Sequence, residues 1–139
     1  MLNTTILHPE ILRVLGTAGH GAGIVIADGN FPFGTIPGSQ TPKVYLNFSP
    51  DKLNTIDVLK EIVKIIPIEG AEAPVPDDGS LPPIFKEYIE LLPKDITIKK
   101  LNRFSFYDAV KDPSTALIIC TAESRIYSCI RLIIGVRKF

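Results

Sequence analysis

The chain has 139 residues, 45% of them hydrophobic and 22% charged, enough apolar material for one buried core. Fifteen basic residues balance fifteen acidic ones, and a neutral chain without a basic stripe argues against a nucleic-acid binder. No apolar run is long enough to span a bilayer and Met1-Leu2-Asn3-Thr4-Thr5 has no signal-peptide character, so a soluble, cytoplasmic protein with no membrane partner is expected.

The first predicted element is a helix opened by His8-Pro9-Glu10, with Pro at a first helical position and an acid in the first turn. Ile11, Leu12, Leu15 and Ala18 recur at helical spacing as a buried stripe, and Gly16, Gly19 and Gly21 stop it. Ile24-Val25-Ile26-Ala27 is short, apolar and rich in β-branched residues, hence a buried strand, ending in the turn Asp28-Gly29-Asn30. Phe31 to Thr41, including Ile36-Pro37-Gly38, is rich in Gly and Pro and is predicted as loop. Lys43 to Phe48 alternates as a half-buried strand. Thr55 to Ile66 carries a helical stripe of Ile56, Leu59, Ile62, Val63 and Ile66, ended by Pro67.

Ile68 to Pro83 mixes acids, prolines and glycines and is expected to be mostly loop. A third helix follows over Ile84–Leu92, a strand over Ile96–Lys99 and a short helix over Phe104–Val110. Thr115–Thr121 and Ile130–Val136 close the chain as apolar strands. This alternation predicts a single α/β domain over residues 1–139, three-layered, with a largely parallel central sheet flanked by helices.

Three clusters could carry chemistry. Glycines on both sides free His20 to face a cavity, and Asp28 falls at the carboxyl end of a buried strand, where open α/β sheets assemble their sites. If the chain folds back so that both approach one pocket, the imidazole can give or take a proton at cellular pH. On spacing alone, a glycine helix stop with a solvated histidine and an Asp turn is the simpler account. Arg103, directly after a strand, could reach the same sheet edge and hydrogen-bond sugar-type oxygens, or form a surface ion pair. Phe104, Phe106 and Tyr107 fit core or interface packing better than a stacking platform. The connection Thr121-Ala122-Glu123-Ser124-Arg125-Ile126-Tyr127-Ser128-Cys129 is a polar loop mounted on two apolar strands. It offers the Tyr127 phenol, or is an ordinary surface turn.

Other chemistries lack support. Two histidines and scattered acids show no metal-ligand spacing. Neither phosphate-cradling glycine motif is present, nor a G-x-S-x-G elbow. Cys120 and Cys129 form no C-x-x-C pair and read as reduced thiols.

In order and spacing the chain resembles the D-ribose pyranase and L-fucose mutarotase family. The likeness runs through His8-Pro9-Glu10, Gly19-His20-Gly21, the segment Ile24 to Pro32, Asn102-Arg103-Phe104-Ser105-Phe106-Tyr107, Thr121-Ala122-Glu123 and Tyr127. The Arg103-Phe104-x-Phe106-Tyr107 form is similar to the fucose branch. The resemblance implies a free, non-phosphorylated monosaccharide substrate and no cofactor. It also implies His20 as catalytic acid, with Tyr127 as a candidate partner in proton exchange and Asp28, Arg103, Tyr127, Ser128 and Cys129 binding the sugar. Ring-forming homo-oligomers follow from it as well, a pentameric ring or a decamer, with sites near subunit contacts. The sequence departs from the family at Tyr127-Ser128-Cys129, where Tyr-Gly-Asn or Tyr-Ala-Asn is usual, and at Ala122 in place of Gly. A thiol is a poorer partner for hydroxyls than an amide, so a weaker hold or a different sugar is expected. The alternatives are a sugar-binding or sensory module of the same fold without turnover, and a purely structural oligomer.

Overall fold

A computed structural model describes residues 1–36 and 40–139 of the chain. The loop expected around Pro37-Gly38 therefore lies partly outside the described residues. Among them are four helices and six strands, in the order α1 (Pro9–Ala18), β1 (Gly23–Ala27), β2 (Lys43–Tyr45), α2 (Thr55–Ile62), β3 (Ile68–Pro74), α3 (Ile84–Leu91), β4 (Ile98–Leu101), α4 (Arg103–Lys111), β5 (Thr115–Cys120) and β6 (Ile130–Ile134). No described helix is long and apolar enough to cross a membrane.

The strands form one sheet in the order β2-β5-β1-β6-β3-β4. β2 with β5, β5 with β1, and β3 with β4 pair in parallel, whereas β6 runs antiparallel to both β1 and β3. The expected α/β architecture with a largely parallel sheet is therefore present, with β6 as the reversed strand. Because side chains alternate across a strand, β1 feeds both faces. Ile24 and Ile26 pack with α1, α2 and α3, while Val25 and Ala27 pack with Phe106 and Val110 of α4 and with Phe31, Phe33 and Ile36. Buried on both sides, β1 is a continuous apolar run.

Local chemistry sets the element ends. His8 caps α1, its Nδ1 accepting from the Ile11 N–H at 3.4 Å, and Gly19 ends the helix at φ 71°. Ile11 and Val14 are the buried centre of its stripe, with Leu12, Leu15 and Ala18 on the flanks. α2 ends at Ile62, four residues earlier than expected, and Ile65 and Ile66 both donate to the Ile62 carbonyl in a tightened turn. Pro67 keeps the helix from continuing past Ile66, since the residue before a proline is disfavoured in helical geometry. β4 lies two residues later than expected.

The larger correction is β3, which occupies Ile68–Pro74 inside the segment expected to be loop. Its apolar side is built from Ala71 and Ala73, which are buried but too small to announce a strand. Gly70 leaves room for Ile133 of β6, whose side chain a Cβ there would crowd at 3.2 Å. Glu72 is accommodated by Arg131 of β6 at 3.4 Å.

Candidate functional site

The carboxyl ends of β1 and β3, the start of α4 and the loop before β6 meet around a hollow of about 280 Å³. Its walls include Asp28, Asn30, Arg103, Tyr107, Tyr127 and Cys129. Open α/β sheets bind ligands outside the carboxyl ends of their strands, and the hollow lies there. Phe31, Pro74, Phe106 and Ile126 supply its apolar surface.

Asp28 is 4% exposed, and its oxygens are spoken for. Oδ1 accepts from the Asn30 N–H at 3.0 Å, and Oδ2 accepts from the Ser128 N–H at 2.9 Å and from the Cys129 thiol at 3.3 Å. The Asp28 N–H in turn donates to Cys129 Sγ at 3.3 Å. Burial raises the Asp28 pKa above the ordinary carboxylate value, while these donors pull the other way. Burial also pushes the Cys129 thiol well above its usual range, so it stays protonated and able to donate. Asp28 thus ties the turn after β1 to the loop before β6.

That loop is braced from several sides. The Thr55 hydroxyl donates to the Ser128 carbonyl at 2.8 Å, and the Tyr88 hydroxyl donates to the Cys129 carbonyl at 3.2 Å. Glu123, 1% exposed, accepts three N–H groups of Arg125, whose Nη1 also reaches Glu87 of α3 at 2.6 Å. Gly29 donates to the Glu123 carbonyl at 2.8 Å, and a Cβ on it would press that same oxygen at 3.2 Å. At the crest Tyr127 is held at φ 56°. A non-glycine residue pays about 1–2 kcal/mol for this left-handed conformation, and such strain gathers at functional sites.

Arg103 opens α4 behind its cap Asn102, whose Oδ1 accepts from the Ser105 N–H at 2.8 Å. Its Nε–H donates to the Tyr107 hydroxyl at 3.1 Å, and its guanidinium lies 5.2 Å from the Phe104 ring centroid and 5.5 Å from that of Tyr107. Arg103 is therefore held over aromatic rings at the hollow rather than in a surface ion pair. Phe106 is core, as expected, but Tyr107 joins the wall.

The structure brings Asp28, Arg103, Tyr127 and Cys129 together. Ser128 is buried beneath them; its N–H serves Asp28 and its hydroxyl bonds the Ile126 carbonyl at 3.3 Å. His20 is elsewhere. It precedes β1, whose five residues at about 3.3 Å each carry the chain roughly 15 Å before Asp28 is reached. Its Nε2 faces Glu69 at 2.9 and 3.0 Å, and it borders a separate shallow depression with Ser114. The expected fold-back of His20 onto Asp28 does not occur within one chain, because a buried strand cannot double on itself.

Sequence reasoning missed Thr55, Tyr88 and Pro74. Tyr88 had a signal: a phenol on the apolar face of a helix, four residues after Ile84, needs a buried acceptor. Pro74 had none once its segment was read as loop.

Comparison with known proteins places this architecture. A fucose mutarotase of Mus musculus is 34% identical over 140 residues, covering 91% of this chain and 88% of that protein. The crystal structure of FucU from Bifidobacterium longum superposes with a TM-score of 0.82 at 30% identity, covering 95% of this chain and 97% of that one. The structure of Bacillus subtilis RbsD complexed with D-ribose shares the fold, with a TM-score of 0.85 at 24% identity over 99% of this chain and 100% of that one. The profile of the RbsD / FucU transport protein family matches residues 1–137, and the chain belongs to that family.

Proposed function

We propose that the chain is an isomerase of free monosaccharides. It interconverts the anomers, or the pyranose and furanose forms, of a sugar such as L-fucose by general acid–base ring opening and closure. The observation that carries this reading is the hollow itself, where Arg103, Tyr127 and Asn30 stand against an apolar wall, in a chain related to fucose mutarotases. Its volume is about 280 Å³, at the lower edge of ligand pockets and suited to a single sugar. The Nη groups of Arg103 are the donors for sugar hydroxyls, and Cys129, whose thiol hydrogen is given to Asp28, offers the sugar only a weakly accepting sulfur where an amide would both donate and accept.

Ring opening breaks the C1–O5 bond as O5 takes a proton and the anomeric hydroxyl gives one up. His20 donates to O5, and Tyr127 exchanges a proton with the anomeric oxygen. Such groups supply about 10²–10⁴-fold, or ~3–5 kcal/mol of barrier, sufficient for a reaction that already proceeds in water. Since His20 and the hollow lie at opposite ends of β1, the histidine acting in one hollow comes from a second copy of the chain. The copies then join head to tail in a ring, and each site sits at a subunit contact. Ile126 and Phe104, both 68% exposed beside the hollow, are the apolar surface such a contact would cover.

Saturation-transfer NMR on L-fucose, D-ribose, D-galactose and L-rhamnose tests the proposal. Accelerated exchange for at least one sugar, abolished in His20→Ala, is the expected result. Shift perturbation without acceleration would instead make the chain a binding module of the same fold.

A further inference from the structure

The imidazole assigned above as proton donor does not stand alone. Its Nε2 lies 2.9 Å from Oε1 and 3.0 Å from Oε2 of Glu69, a residue 49 positions along the chain. How the fold delivers Glu69 there is the telling feature. β3 pairs with β6 through Ile68 and Ile134, then through Gly70 and Ile133, and the register shifts between them. Glu69 is the extra residue of that irregularity. Bulges re-aim a side chain at the expense of regular pairing and recur beside active sites.

Two further features serve the same placement. Gly135 lies against Glu69, and a Cβ there would sit 3.2 Å from Glu69 Cβ and 3.3 Å from its backbone nitrogen. On the other side, Gly19 at φ 71° and Gly21 at φ 82° set the turn that carries His20, and the Gly21 N–H is anchored on the Ile134 carbonyl at 2.8 Å. The end of β6 thus holds both partners, through Ile134 on one flank and Gly135 on the other. Stability does not explain the arrangement. His20 and Glu69 side chains are 58% and 45% exposed, and an exposed pair of this kind contributes little to folding.

We infer that Glu69 is a positioning residue for His20, fixing the ring so that Nε2–H is donated to the carboxylate and Nδ1 is the nitrogen that exchanges a proton with the sugar. A carboxylate only accepts hydrogen bonds, so it selects the imidazole tautomer that carries its hydrogen on Nε2. The proton delivered to the ring oxygen leaves from Nδ1 of the doubly protonated ring and returns there when the sugar recloses, while the Nε2–H remains donated to Glu69 throughout. The inference rests on the reading of His20 as proton donor.

The test compares Glu69→Ala, Glu69→Gln and His20→Ala in the assembled protein, with exchange rates measured over a range of L-fucose concentrations. Glu69→Ala is expected to lower kcat by about tenfold or more, in the direction seen when a histidine loses its orienting carboxylate, with KM within about twofold of its starting value. Glu69→Gln, which can still accept from Nε2–H but no longer forbids the other tautomer, is expected to fall between the two. Histidine-labelled ¹⁵N NMR of the unmodified protein should show neutral His20 protonated at Nε2. A Glu69→Ala kcat within about twofold of the original overturns the inference, as does an Nδ1-protonated ring. Loss of exchange in His20→Ala alone overturns only the assignment of Glu69, whereas full exchange in His20→Ala overturns the reading of His20 beneath it.

Discussion

The two ends of β1 are built on opposite terms. At the carboxyl end Asp28 is 4% exposed and saturated by Asn30, Ser128 and Cys129, and the loop it holds is tied further by Thr55, Tyr88 and Arg125. At the amino end His20 and Glu69 face solvent, paired with each other on glycine turns. The contrast teaches that a buried, heavily hydrogen-bonded titratable group need not be the one proposed to move protons. Asp28 has its oxygens engaged by two backbone N–H groups and a thiol, while in the proposed reaction the exposed imidazole keeps one nitrogen free for a sugar held in the hollow of another copy.

The sharpest way to break that contrast is complementation. His20→Ala and Arg103→Ala chains, each nearly inactive alone, should regain about a quarter of normal sites when co-assembled in equal amounts, because head-to-tail contacts pair one chain's hollow with its neighbour's histidine. Exchange NMR on the mixture measures it, and no recovery would return both residues to a single chain. The next largest effect is on stability. Asp28→Asn cannot accept from both the Asn30 and Ser128 N–H groups, and leaving a buried donor unmet costs about 1–3 kcal/mol. Denaturant melts should show this loss, and an unchanged midpoint would mean that Asp28 is not the tie between the two loops.

The pH dependence of that difference sharpens the point. Because burial raises the Asp28 pKa in the folded state, the native protein holds the proton more tightly than the unfolded chain. Its contribution to stability is therefore fully present below the unfolded value of about 3.9 and lost as pH rises through the higher folded value. Measured against Asp28→Asn, the original protein should lose relative stability between pH 4 and neutrality; a gain would reverse the sign of the shift. The smallest effect concerns Tyr127. Tyr127→Gly should be more stable than Tyr127→Ala by about 1 kcal/mol, since only glycine accepts φ 56° without cost, yet both should lose the activity that needs the phenol.

Where burial, caps and breakers agree, the elements were legible. His8-Pro9 and Gly19 bound α1, and β1 and β5 are apolar on both faces and read as buried strands at once. β3 was not legible, because Ala71 and Ala73 owe their burial to β6 and β4 on either side rather than to any great hydrophobicity of their own. Within the hollow, Asp28, Arg103 and Tyr127 were legible through the elements that end beside them. The hydroxyls of Thr55 and Tyr88 belong to core-facing positions of α2 and α3, and only the folded chain reveals that they reach the loop.

The sequence by itself determined which residues could bear chemistry and where the strongly apolar strands β1, β5 and β6 lie, since composition and periodicity are local properties of the chain. Tertiary structure alone decided their company. Asp28 lies only eight positions after His20, but an extended, fully buried strand keeps their side chains apart. Glu69 lies forty-nine positions after His20, and sheet pairing with a shift in register brings the two within hydrogen-bonding distance.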